Sequence, residues 1–119
     1  MIYTSYYAKM RNHYNEFTLV SISTSTPSWF PVGLPKIQEL VPGWDLVNGI
    51  KSGSIDWSEY TKRYIAKLET LGRDKVLHLI KQYEALGKDV VLLCYEKPGD
   101  NCHRHILSEW LGEIEEVIL

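Results

Sequence analysis

Long apolar runs are missing from this chain of 119 residues. None approaches the roughly 18–20 residues of a membrane span, so no membrane partner is expected. The start has no charged region followed by an apolar run, so a secretory signal is not expected either. Both absences predict a cytoplasmic place. Cysteine is scarce, with two in the chain, and in that compartment they are expected as thiols and not as a disulfide. An excess of charge of one sign is missing too. Thirteen Lys and Arg stand against fifteen Asp and Glu, for a net charge of −2. That removes the global argument for nucleic-acid binding and leaves only a local patch. A Gly-rich phosphate loop, a nucleophile elbow and a His-Glu-x-x-His pair are all absent. The common NTPase, α/β-hydrolase and zincin readings therefore have no support.

What is present is an ordinary globular composition, 45% hydrophobic and 24% charged. The length predicts one domain over residues 1–119. A chain of this size buries roughly two-thirds of its unfolded surface, enough for a core without staples. Four Trp and eight Tyr are many for the size. Those in loops are candidates for stacking on a ring.

The stretch from Asp89 to Leu111 organises the rest. Val90 to Cys94 is a continuous apolar run, as a strand covered on both faces requires. Pro98 and Gly99 break it, and Asp100-Asn101 favour a turn or a helix cap. From Cys102 the period changes. Ile106, Leu107, Trp110 and Leu111 recur at helical spacing, with Gly112 as a stop. Both cysteines, two histidines, Arg104 and Glu96 thus fall in or beside one strand–loop–helix junction. Free N–H groups and about half a positive charge at a helix start favour an anion there. Arg104 adds a planar cation in the same turn. Cys102 sits where the dipole lowers a thiol pKa.

Each residue also has a plainer reading. Cys94 ends an apolar run and reads as a buried, inert thiol. Arg104 fits an ion pair as well as a phosphate. His103 lies one turn from Ile106 and Leu107, as a core histidine would. His105 and Glu109, four apart, fit a solvated pair.

Ile2 to Tyr7 and Phe17 to Ile22 read as two further strands, with a polar loop or helical turn between them. Parallel pairing of direct neighbours normally needs a crossover of a dozen or more residues. Direction and adjacency therefore stay open on residues alone. Ser21 to Phe30 is dense in hydroxyls. Ser21 and Ser23 are candidate anion-binding residues, and Trp29 could cover a base. A helical turn is expected near Lys36–Leu40 and a short helix over Trp44–Ile50. Asp56 with Glu59 has capping-box spacing. It opens a helix whose stripe Trp57, Tyr60, Tyr64, Leu68, Leu71 reads first as core. Asp74 is expected to cap the next helix, and Ile114–Leu119 to form an edge strand. The order predicts an α/β fold: a compact three-layer domain, a small mainly parallel sheet with helices on both faces.

LLCYEKPGDNCHRHILSEWL resembles the signature of the domain-of-unknown-function family 488. That signature is a Cys-x-Glu, a short Pro/Gly loop, then Cys-His-Arg opening a helix. IYTSYYAK, LVSISTSTPSWF and WSEYTKRYIAKLETL agree with it. The resemblance implies parallel strands in a small α/β domain and a site at Cys94, Glu96, Cys102, His103 and Arg104. It implies no activity. Many members have Gly-His after the first strand's Thr, where this chain has Ser5-Tyr6-Tyr7. They often have Asp and Arg at the end of the second strand, where this chain has Ser21 and Ser23. The resemblance therefore carries no acid–base role to the second strand.

Three functions compete. The first is a ligand-binding domain or enzyme for a phosphate-bearing, nucleotide-like or nucleic-acid substrate at residues 94–104. Glu96, Cys102 and His103 would be its catalytic groups, and Arg104, Ser21 and Ser23 would hold the anion. The second is a metal site from Cys94, Cys102, His103 and His105, although adjacent helical residues diverge by ~100°. The third is an interaction module in which Cys94, Glu96 and Arg104 form a buried structural network. No cofactor is named by these residues.

Overall fold

The computed structural model describes residues 1–95, 101–112 and 114–117. In chain order these form β1 (Ile2–Tyr6), α1 (Tyr7–Met10), β2 (Thr18–Ser21), a 3-10 turn (Gln38–Leu40), α2 (Trp44–Ser52) and α3 (Trp57–Leu71). There follow α4 (Arg73–Glu84), β3 (Val90–Cys94), α5 (His103–Leu111) and β4 (Glu115–Glu116). The strands make one parallel sheet in the order β2-β3-β1-β4. The fold is α/β.

The open question about the first two strands has a physical answer. β1 and β2 are parallel but not neighbours, because β3 lies between them. Residues 7–17 therefore cross over one intervening strand. They manage it with the single turn α1 because β2 is only four residues long, roughly 13 Å of chain to retrace.

β3 is buried at all five positions, which is why its sequence is continuously apolar and does not alternate. Successive side chains still point to opposite faces. Val90 and Leu92, with Ile2 and Val20, pack against Tyr64, Leu68, Ile80 and Leu107 of the long helices. Leu19, Val91 and Leu93 meet Tyr7, Met10 and Phe30 on the other face. The two covers are unequal. One is built from α2–α5, the other from α1 and the irregular segment that contains Phe30, Val32 and Leu34. Each fully buried Val or Leu contributes roughly 1.5–3 kcal/mol, so the sheet is held mainly by this sandwich.

The start of α3 follows from its residues. The Asp56 Oδ1 accepts from the Glu59 N–H at 2.8 Å, and Tyr60, Tyr64 and Leu68 fall on one buried face. Asp56→Ala is expected to cost ~1 kcal/mol, read as a fall in Tm of about 5 °C. An unchanged Tm would remove the cap from the account. Asp74 is a correction. Gly72, at φ 87°, occupies the cap of α4, and no side chain caps it. Asp74 lies inside the first turn, where its charge still faces the positive end of the dipole. α5 stops at Gly112, whose φ of 79° is the left-handed conformation that glycine adopts without steric cost.

Candidate functional site

The carboxyl ends of β2 and β3 open into a cleft of about 490 Å³, on the side of a parallel sheet where ligands sit. Its walls come from four places besides Pro42. The loop after β2 supplies Ser23, Thr24 and Ser25. α2 supplies Trp44 and Lys51. α3 supplies Trp57 and Tyr60. The β3–α5 junction supplies Cys94, Tyr95, Asn101, Cys102 and His103. Trp57 and Tyr60 stack with ring centroids 4.8 Å apart, because one turn of α3 places them side by side. Trp44 is 58% exposed, so its ring presents a free face.

The hydroxyl wall is fastened from behind. Tyr7 Oη lies 2.7 Å from Ser21 Oγ and 2.6 Å from Ser23 Oγ, all buried. The Ser23 N–H donates to Ser21 Oγ at 3.3 Å, and Ser23 Oγ donates to the Ser25 carbonyl at 2.7 Å. Lys36 Nζ donates to the Thr24 carbonyl at 2.9 Å. Ser23 therefore reaches the cleft. Ser21 is fully buried beneath it and does not line it. Tyr7, Ser21 and Ser23 are among the positions, with Ser5 and Tyr6, where the chain departs from the pattern it resembles. The first three meet in this one hydrogen-bonded cluster.

The expectation of two thiols is corrected. Cys94 and Cys102 are joined as a disulfide, with an S–S distance of 2.04 Å and Cα atoms 7.4 Å apart. The last residue of β3 and the residue before α5 come face to face, which spacing in the chain does not reveal. Closed in this way, Cys102 has no thiolate. His103 follows it as the first residue of α5 and is almost fully buried. Its Nε2 lies 2.5 Å from the Ile22 carbonyl. A carbonyl only accepts, so Nε2 carries the proton and Nδ1 is the lone-pair nitrogen. That Nδ1 faces Cys102 Sγ at 3.8 Å. Burial pushes the imidazole down to about 4, against an opposing pull from the Ile22 carbonyl, so His103 is neutral near pH 7.

Arg104 points elsewhere. It is fully buried. Nε donates to Glu116 Oε1 at 3.3 Å and Nη2 to Glu116 Oε2 at 3.4 Å. Nη1 donates to Cys94 Sγ at 3.1 Å, and the guanidinium lies 5.8 Å from the centroid of the Tyr6 ring. Arg104 is not among the residues lining the cleft. Glu96 and its expected acid–base role lie outside the described residues. Of the four soft ligands, three come together: the donor atoms of Cys94, Cys102 and His103 lie within 4.8 Å of one another. His105 lines a neighbouring cavity with Ile65, Ile106 and Trp110.

A family model described as "DUF488-N3a: Active DUF488-N3 subclade" matches residues 7–115. The chain belongs to this family. No curated protein and no solved structure matches it. Among the described residues of this DUF488-N3a chain, no helix is long and apolar enough to cross a membrane.

Several lining residues of the DUF488-N3a cleft escape a reading by motif. Lys51 and Trp44 belong to a short helix far from the signature in sequence. Trp57 and Tyr60 belong to a stripe that reads as core, and both also face the cleft. The available signal was a tryptophan opening a short helix with no place in an apolar stripe. Trp29 is not in the lining. It packs beside Phe30 with Arg11 5.6 Å from its ring centroid.

Proposed function

We propose that the cleft binds a small nucleotide-like molecule, with its ring among the aromatic side chains and its phosphate against the hydroxyl wall. The observation that carries this is the pairing of wall chemistries around one cavity. Trp44, Trp57, Tyr60 and Tyr95 share the lining with Ser23, Thr24, Ser25 and Lys51, and Tyr95 Oη lies 3.1 Å from Ser25 Oγ, where the two chemistries meet. A volume near 490 Å³ falls within the ~300–1,000 Å³ of small-molecule sites. Aromatic faces accept any base, and hydroxyls hold phosphate oxygens. Lys51 is the one cation lining the cleft among the described residues. A nucleic-acid strand needs a row of cations along its backbone, so this wall favours a mononucleotide. Arg104 supports the floor in this reading, since its fork is held by Glu116 and Cys94. Cys102 and His103 face the bound molecule.

A thermal-shift panel of phosphate, nucleosides, nucleoside monophosphates and short oligonucleotides tests the reading. A monophosphate at a hundred times its Kd adds ~2.7 kcal/mol of apparent stability, a rise on the order of 10 °C. Nucleosides and free phosphate are expected to give less, and Trp44→Ala, at an exposed position, to lose most of the rise while keeping its own Tm. No rise with any compound, or a rise indifferent to Trp44→Ala, contradicts it.

A further inference from the structure

We propose that Cys94, Cys102 and His103, once the disulfide is reduced, form a binding site for one zinc-class ion, with its fourth coordination position open to the cleft. The proposal is independent of what the cleft binds.

Three observations carry it. All three donor atoms lie within 4.8 Å of one another and are buried. Two thiolates and an imidazole suit a tetrahedral ion with bonds of about 2.3 Å to sulfur and 2.0–2.1 Å to nitrogen. Cys102 Sγ and His103 Nδ1 are already 3.8 Å apart, close to the edge of such a tetrahedron. The orienting contacts are also in place. The proton of His103 sits on Nε2, bound to the Ile22 carbonyl, so Nδ1 presents its lone pair inward. That is the arrangement in which an outer hydrogen bond fixes a ligating histidine. Arg104 Nη1 donates to Cys94 Sγ at 3.1 Å, a contact that strengthens when the sulfur is a thiolate. Finally, all three residues line the cleft. Three protein ligands and one side open to a cavity distinguish a reactive ion from a closed structural one.

The disulfide and the ion exclude each other. A dithiol reductant supplies two electrons and two protons to the Cys94–Cys102 bond and itself becomes a disulfide. Two thiols result, and the ion displaces their two protons on binding. The Cα atoms stand 7.4 Å apart, wider than the ~4.4–6.8 Å usual for bridged cysteines. Separating the sulfurs to share an ion therefore asks little of the backbone. The site is present only in the reduced chain.

The test is a titration of the reduced full chain with Zn²⁺ under anaerobic conditions, against a chromophoric chelator, repeated with Co²⁺ as a spectroscopic probe. One equivalent is expected to bind. Cobalt is expected to show the visible bands of a tetrahedral site and a near-ultraviolet thiolate charge-transfer band. His103→Gln and Cys102→Ser are expected to weaken binding at least ~100-fold while keeping the folded far-ultraviolet spectrum. The oxidised chain is expected to bind none. Reduced wild type that binds no zinc, or binds it as well in Cys102→Ser as in wild type, overturns the proposal. An octahedral cobalt spectrum without charge transfer does so too.

Discussion

Arg104→Ala is expected to lose on the order of 3 kcal/mol of stability, a fall in Tm of more than ~10 °C. Arg104 has the largest fully buried side chain among the described residues. It meets both oxygens of Glu116 and the sulfur of Cys94. Removing it leaves a cavity and deprives Glu116 of its cation. The Glu116 side chain keeps 27% exposure, so water takes part of the load, and the loss stays at the lower end of what breaking a buried pair costs. Glu116 also accepts from Thr4 Oγ1 at 3.0 Å and belongs to β4, an edge strand of two residues. Hydrogen exchange at Val117, whose N–H donates to the Thr4 carbonyl, is expected to quicken in the variant. Denaturant unfolding at pH 7 checks the magnitude. The double variant Arg104→Ala/Glu116→Ala is expected to fall short of the sum of the singles, since the two share one interaction. A loss under ~0.5 kcal/mol, the scale of a surface pair, contradicts the assignment.

Acid is expected to weaken the oxidised protein through His103. Its folded value is lowered to about 4 by burial, whereas an unfolded histidine titrates near 6.5. As pH falls below ~6.5 the unfolded chain takes up the proton first. The stability contribution of the neutral ring is therefore complete above ~6.5 and is lost progressively down to about 4. The total is on the order of 3 kcal/mol. Urea unfolding at pH 7.0 and 4.5 measures it. His103→Gln, which does not titrate, is expected to flatten that part of the profile. Identical slopes for the two proteins would show that His103 does not stay neutral inside the fold.

Much of this architecture is legible in the residues, for definite reasons. β3 is found by its apolar run because a central strand buried on both faces leaves no other pattern. The start of α3 is found because Asp56 and Glu59 stand at capping distance, and its buried face because Tyr60, Tyr64 and Leu68 keep helical spacing. The strand order is not legible, since β3, the partner that separates β1 from β2, comes some seventy residues after β2. The junction at 94–104 is legible as a cluster of reactive side chains. What each side chain faces is not. Arg104 and His103 are adjacent on α5, yet one turns to Glu116 and the other to Ile22. The cleft itself is assembled from α2, α3 and two loops. No local pattern announces that Trp44, Lys51 and Ser23 share a cavity.

The most direct test of the cleft as a nucleotide site uses the four tryptophans as reporters. Indole N–H resonances of the oxidised protein are followed while a nucleoside monophosphate is added. Trp44 and Trp57 line the cleft, whereas Trp29 lies beside Phe30 and Trp110 donates its N–H to Glu69 at 2.9 Å. Saturable shifts of Trp44 and Trp57, with Trp29 and Trp110 nearly still, are the expected result. Shifts confined to Trp29 or Trp110, or no saturable shift at all, would contradict the account.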